Sequence, residues 1–303
     1  MKRVLLTGVN SYIGKNLTTY LQQYNECQGK EMYLVTCISQ RQENWKEYDF
    51  SGYDVVVDVT GIATVDERKL SKKEEEQYYS INSILACETA QKAKREGVKQ
   101  FIYFSSILVY GGDYSIGKTE CITKSTQPHP TNVYGKSKRQ AEEKLSILAD
   151  EAFKVAIIRL PFVYGAECNG GYRLLSRWAK VLPLISTISE EKSMIYIENL
   201  NEFLRLLIDA GEGGIYFPQN AARESVERMM EMIRITKDKK TYRCSLLNPM
   251  IKLLSGIPGK YGSFVRKVFG GLSYDLSMSD VLGDYRLVGF EESIRRTEEK
   301  GNC

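Results

Sequence analysis

The sequence predicts an α/β protein built on a doubly wound parallel sheet, followed by a smaller C-terminal domain. Three observations carry that prediction. Short apolar runs alternate with helix-length amphipathic stretches from the first residues to about position 160. The runs are apolar on both faces, as strands covered by helices on either side must be. The first of them ends in a glycine turn, Thr7-Gly8-Val9-Asn10-Ser11-Tyr12-Ile13-Gly14, which opens directly into a helix.

Residues 4–7 are the first strand, and 14–24 read as the first helix, with Leu17 and Leu21 at i, i+4 on its inner face. Residues 32–38 are the second strand. The DVVVDV run at 54–59 is the third, entered through the turn Ser51-Gly52-Tyr53. A helix over 82–95 stops at Gly97, the FIYFS run at 101–105 is the fourth strand, and a polar loop covers 111–132. The helix at 134–148 and the strand at 155–159 follow. Past Gly165 the alternation loosens, although 195–197 reads as a strand returning to the sheet ahead of a helix at 200–208. The expected division is residues 1–165 for the sheet domain and 166–303 mostly for the smaller one.

Composition narrows the function. The 303 residues carry 42 Lys+Arg against 38 Asp+Glu, and a net charge of +4 gives no ground for nucleic-acid binding. A single histidine, His129, sits between two prolines, which excludes a multi-histidine metal centre, so no metal is expected. The seven cysteines include no CxxC pair, and reduced thiols are expected. Met1-Lys2-Arg3 runs straight into the first strand without a secretory leader, and no stretch is apolar enough to span a membrane. A cytoplasmic location is the expectation.

Chemistry enters at three places. The glycine turn aims backbone N–H groups and the positive end of a helix at an anionic ligand, usually a pyrophosphate. By itself it is equally a βα turn that needs glycine only for its backbone. Tyr134 and Lys138 lie at i, i+4 and share a helix face, where an ammonium beside a phenol lowers the phenol's pKa towards useful acid–base chemistry. Most YxxxK pairs are ordinary exposed helix neighbours. Ser105 and Ser106 close a strand at its carboxyl end, where ligands bind in open α/β sheets, or else merely cap it. For a nicotinamide dinucleotide, the end of the second strand carries no acid but does carry Arg41. A 2′-phosphate would be met there, which slightly favours NADP(H) over NAD(H) unless Arg41 is simply solvated. Asp49 is a candidate adenine contact.

Taken in order, TGxxxxxG, SSxxVYG from Ser105, YxxxK, RxPxVYG from Arg159 and YIxNL from Tyr196 resemble the extended short-chain dehydrogenase/reductases, the nucleotide-sugar epimerase/dehydratase family. The likeness is close over about 1–210. Asn10 to Gly14, Val59 to Ala63, Lys192 to Tyr196 and Phe217 to Asn220 are similar to the 4-ketoreductases and 4-epimerases of capsule and O-antigen synthesis. The resemblance implies a Rossmann-type nucleotide domain with a C-terminal substrate-binding domain. It implies Tyr134 as proton donor and acceptor, Lys138 as its partner and ribose ligand, and Ser106 as the catalytic serine. Gly8, Asn10, Ser11, Tyr12, Ile13, Gly14, Thr60 and Gly61 would line the cofactor, with Ser105, Ser106, Asn169 and Lys192 on the substrate. Lys192 stands where a pyrophosphate-clamping arginine is expected, a point charge in place of a fork. The positions that hold Asp-Glu in 4,6-dehydratases are Ile107 and Leu108 here, which disfavours dehydration.

The function so implied is NAD(P)-dependent reduction of a 4-keto UDP-hexose in surface polysaccharide precursor synthesis, with 4-epimerisation of a UDP-sugar as the alternative. A non-catalytic dinucleotide-binding regulator is a second class, since fold does not fix function. Such proteins commonly lose the Tyr or the Lys, and this chain has both. A homodimer across the helices at 82–95 and 134–148 is the family's usual arrangement. Residues 237–267 hold eight basic residues against one acid, interleaved with apolar groups. That segment is expected to close over the sugar, with at most weak peripheral membrane contact.

Overall fold

Strand β1 (Lys2–Thr7) sits inside a parallel sheet with β2 (Tyr33–Ile38) on one side and β3 (Val55–Asp58) on the other. The computed structural model describes residues 1–62, 70–111, 116–168, 170–188, 190–257 and 260–300. Beyond β3 the sheet continues through β4 (Gln100–Ser106), which pairs with a later strand at Lys154–Leu160. Between the strands run α1 (Tyr12–Gln28), α2 (Lys72–Tyr79), a π-helical turn at Ser80–Leu85 and α3 (Ala86–Arg95). They are followed by β5 (Thr119–Ile122), α4 (Val133–Leu148) and β6, the Lys154–Leu160 strand.

The second half holds β7 (Phe162–Tyr164), α5 (Gly171–Val181), β8 (Leu184–Ile185), β9 (Met194–Tyr196), α6 (Ile197–Ala210) and β10 (Gly214–Tyr216). It ends with α7 (Val226–Ile235), β11 (Tyr242–Arg243), α8 (Leu247–Ser255), α9 (Lys260–Phe269), β12 (Gly271–Tyr274) and α10 (Phe290–Lys300). Among the described residues the main sheet has six strands in the order β10-β6-β4-β3-β1-β2. This is the α/β, doubly wound architecture expected from the sequence.

Alternation along β1 divides the core into two layers. Val4 and Leu6 pack with Leu17, Leu21, Leu200 and Phe203 under α1 and α6. Leu5 faces the other way, with Ala90, Ala141 and Leu145 of α3 and α4. The strands' double-sided apolar composition is therefore used on both sides.

Three expectations need correction. The strand at 194–196 does not return to the main sheet but pairs in parallel with β7. Pro161 lacks the N–H that would continue β6, so the chain breaks there, and β9 joins the short continuation beyond it. The sixth strand is β10, a three-residue edge strand that begins at Gly214 and leaves Ile215 45% exposed, too little apolar sequence to register. The helix expected at 82–95 starts at Lys72, behind a Ser71–Glu74 capping box in which Ser71 Oγ accepts from Glu74 N at 3.3 Å.

The C-terminal segment was expected to fold its apolar residues over a ligand. Leu246, Met250 and Leu253 of that segment lie on the surface, and Ile251 is buried. No helix among the described residues is long and apolar enough to cross a membrane.

Candidate active site

The glycine turn is a backbone cradle. Gly8 has φ +75°, and a Cβ there would come within 3.1 Å of Thr60 N, so this turn takes glycine for both its conformation and its space. Ser11 N closes the turn onto Gly8 O at 2.8 Å, and Ser11 Oγ caps α1 by accepting from Gly14 N at 3.4 Å. The first turn of α1 carries no acidic residue, which leaves its positive end open to an anion. Gly14 is buried against Leu6 and Val59, with Asn10 exposed and Ser11, Tyr12 and Ile13 half-buried beside it. Tyr12's buried hydroxyl has no hydrogen-bond partner among the described residues. These features suit a dinucleotide pyrophosphate.

Across the sheet's carboxyl edge, β4 and α4 bring the proposed acid–base groups together. Ser106 ends β4, and its hydroxyl accepts from Leu108 N at 3.2 Å and works to lower the pKa of the Tyr134 phenol. Asn132 caps α4 by accepting from Gly135 N at 2.8 Å, which starts the helix one residue ahead of Tyr134. Gly135 packs directly on the Leu108 carbonyl, where a Cβ would collide. That contact presses the start of α4 against the turn after Ser106.

Lys138, one turn on, is buried, with Nζ 4.6 Å from the Tyr103 ring centroid and donating to Phe104 O at 2.8 Å. Burial pushes its ammonium down to about 8, against the opposing pull of Asp58 and Glu142. The Tyr134 phenol is not lowered as the i, i+4 spacing suggests. Burial pushes it up to about 12, with only the influence of Ser106 working the other way. The lysine thus donates to a carbonyl, and the phenol stays protonated at neutral pH.

Adjacent strand residues face opposite ways, and this separates the two serines. Ser105 Oγ donates into the interior, to Glu142 Oε1 at 2.5 Å, so its hydroxyl is committed within the fold rather than offered beside Tyr134. Glu142 also holds Arg159 in a fork, through Nε at 2.9 Å and Nη2 at 2.7 Å, and Arg159 Nη1 reaches Tyr110 Oη at 2.5 Å. The sequence reading missed Glu142. Its signal was its spacing, another i+4 step beyond Lys138 on the same helix face.

Asn82 was missed as well. It is fully buried at the π-helical turn, with Oδ1 accepting from Ile62 N at 2.8 Å and Nδ2 donating to Ser137 Oγ at 3.1 Å. Asp58, at the end of β3, accepts from Thr7 Oγ1 at 2.5 Å, and burial pushes its carboxyl up.

The remaining candidates are less concentrated. Thr60 Oγ1 donates to Gln40 Oε1 at 2.6 Å, and Gln40 Nε2 to Thr89 Oγ1 at 2.6 Å, so the end of β2 is pinned inward. A Cβ on Gly61 would stand 3.3 Å from Lys138 Nζ. Arg41 is exposed on the turn after β2, and Asp49 is exposed and accepts from Ser51 N at 2.8 Å. Lys192 does not project as a phosphate clamp would: its Nζ donates to Val268 O at 2.8 Å, inside the C-terminal part. Burial pushes that ammonium down to about 8, with Glu190 and Glu227 opposing. Asn169 and Ala63 lie outside the described residues.

Comparison with known proteins shows the family and the fold. The model of the NAD dependent epimerase/dehydratase family matches residues 4–207. A UDP-glucose 4-epimerase of Vibrio cholerae is 28% identical, over 98% of this chain and 95% of its own length. Among solved structures, a dTDP-4-dehydrorhamnose reductase of Bacillus anthracis in complex with NADP superposes with a TM-score of 0.70 at 22% identity, over 98% of this chain and 99% of that one. A UDP-glucuronic acid 4-epimerase of Bacillus cereus in complex with NAD gives 0.72 at 16% identity, over 98% and 96%. These structural likenesses speak for the fold.

Proposed function

The chain belongs to the NAD-dependent epimerase/dehydratase family, and from that premise we propose that it is an NAD(P)-dependent oxidoreductase acting at C4 of a UDP-hexose. The observation that carries the reading is the placement of Ser106 at the carboxyl end of β4, with Tyr134 at the start of α4 one helical turn from buried Lys138, at the same sheet edge as the α1 cradle. The dinucleotide supplies the hydride chemistry when bound. Tyr134 gives a proton to, or takes one from, the C4 oxygen, which Ser106 holds by hydrogen bonding. Lys138 binds the ribose hydroxyls and brings positive charge to the phenol. Ile107 and Leu108 offer no acid on that turn, which speaks against dehydration.

Two outcomes share this machinery. Reduction of a 4-keto sugar is supported by Arg41, an open cation at the end of β2 for a 2′-phosphate. Epimerisation is supported by the nearly full-length likeness to a UDP-glucose 4-epimerase. Incubating the protein with UDP-hexoses and with 4-keto UDP-sugars, while following NAD(P)H absorbance and product configuration by NMR, separates them. Stoichiometric loss of NAD(P)H means reduction, and conversion without net loss means epimerisation. Intact dinucleotide binding with neither reaction would overturn the proposal in favour of a non-catalytic binder.

Two variants test the site further. Arg41→Ala is expected to weaken NADPH by about 1–3 kcal/mol and to leave NADH unchanged in fluorescence titrations. Equal losses would remove Arg41 from the 2′ position. Gly135→Ala pushes α4 off the Leu108 carbonyl and shifts Tyr134 relative to Ser106. Turnover should fall on the order of 10²-fold with dinucleotide affinity retained, and a variant within twofold of wild type would show that this packing does not set the alignment.

A further inference from the structure

We propose that the outward face of α8 docks the protein on an anionic lipid surface. A surface helix ordinarily turns its apolar stripe to the core and its polar face to water. Helix α8 does place Ile251 inward, at 7% exposure. Its outward side carries Met250 and Leu253, 50% and 75% exposed, with Leu246 just before the helix and Ile257 two residues beyond it, 81% and 41% exposed. The patch extends beyond the helix. Tyr242 pairs with Leu184 in the β11–β8 ladder, and the two are 57% and 45% exposed. Thr187 N donates to Asn248 Oδ1 at 3.1 Å and Asn248 Nδ2 to Thr187 Oγ1 at 2.8 Å, which ties α8 to the chain leaving that ladder. The exposed apolar side chains of α8 and of the ladder are thereby held in neighbouring parts of the fold.

The charges around it identify the occupant. Lys239, Lys240 and Lys252 are exposed beside these residues, Lys239 donating to Lys180 O at 2.6 Å and Lys252 within electrostatic reach of Glu190, and the one acid in the sequence between 237 and 267 is Asp238. Arg243 is partly neutralised by Glu231 at 3.0 Å, and the three lysines remain the principal positive contribution. Leucine, methionine and isoleucine flanked by lysines are the composition of a helix that lies in a bilayer interface, with its apolar face among the acyl chains and its cations at the headgroups. A protein interface core favours aromatic, methionine and arginine side chains and is poor in lysine; Met250 and Tyr242 meet that pattern, and the lysines do not. A second copy of this chain would bring the same cations together. The inference is independent of which sugar the site takes.

Flotation of the full-length chain with phosphatidylcholine vesicles, with and without phosphatidylglycerol, tests it. The expected result is binding at least about tenfold greater to the phosphatidylglycerol vesicles, released by salt. Leu253→Glu combined with Met250→Glu should abolish it, and Lys239, Lys240 and Lys252 changed to Gln should weaken it about tenfold or more. All these positions are exposed, so the variants are expected to keep the wild-type melting temperature, and that is measured alongside. Three results would overturn the proposal: no flotation, flotation unaffected by the glutamates, or loss of self-association in the glutamate variant without any vesicle binding by the wild type.

Discussion

Replacing Tyr134 with Phe is expected to cut turnover by about 10²–10⁴-fold while leaving dinucleotide binding within a small factor of wild type. The substitution removes one oxygen. The ring stays half-buried at the start of α4, whose position is set by the Asn132 cap and by Gly135 against Leu108, and none of these contacts involves the hydroxyl. What disappears is the proton that the phenol, pushed up to about 12 in the ligand-free protein, carries at neutral pH beside Ser106. Steady-state kinetics with the substrate identified by the NMR assay, together with dinucleotide titration, provide the measurement. A variant retaining a third of the activity would end the assignment of Tyr134 as the acid–base group.

Loss of the Glu142 carboxylate should be the most damaging single change to stability. Glu142 is 1% exposed and Arg159 4%, and the fork between them is shared with Ser105 and Tyr110. Glu142→Ala strands the guanidinium without a counter-charge, which costs about 3–5 kcal/mol, or roughly 10 °C in melting temperature. Glu142→Leu with Arg159→Met removes both charges and should recover most of that loss, because well-packed apolar replacements of a buried pair are often neutral. Chemical denaturation of the two variants decides it. A single variant within 1 kcal/mol of wild type would mean that water reaches Arg159.

Much of this was legible in the sequence because it rests on local signals. β1, β3 and β4 are runs of apolar residues, and the Gly8–Gly14 turn, Ser106, Tyr134 and Lys138 sit at strand ends and helix starts that periodicity locates. Interactions set by distance in the chain escaped. Nothing near Ser105 announces that its hydroxyl faces Glu142, and nothing near Lys192 announces Val268 O; both partners are supplied by packing. β10 escaped for a different reason, being a three-residue edge strand with only one face covered. The phenol's pKa was misjudged because helical spacing reports proximity but not burial, and at Tyr134 burial is the larger effect.

The pairing of β12 with β5 has a consequence for how the protein is made. Ile107, Val109 and Tyr110, on the turn directly after Ser106, share a small apolar cluster with Ile122, Leu272, Tyr274 and Met278. Gly271 to Tyr274 align with Thr119 to Ile122 across about 150 residues of intervening chain, a long loop to close before either strand is rewarded. During synthesis the strands β1 to β6 emerge first with the face covered by α3 and α4, and the opposite face closes when α6 follows. The turn that carries Ser106 gains its backing only when residues 271–278 have left the ribosome. A chain stopped before β12 would therefore keep its nucleotide cradle and lose the backing of the turn after Ser106, so that turn is complete only once β12 has been made.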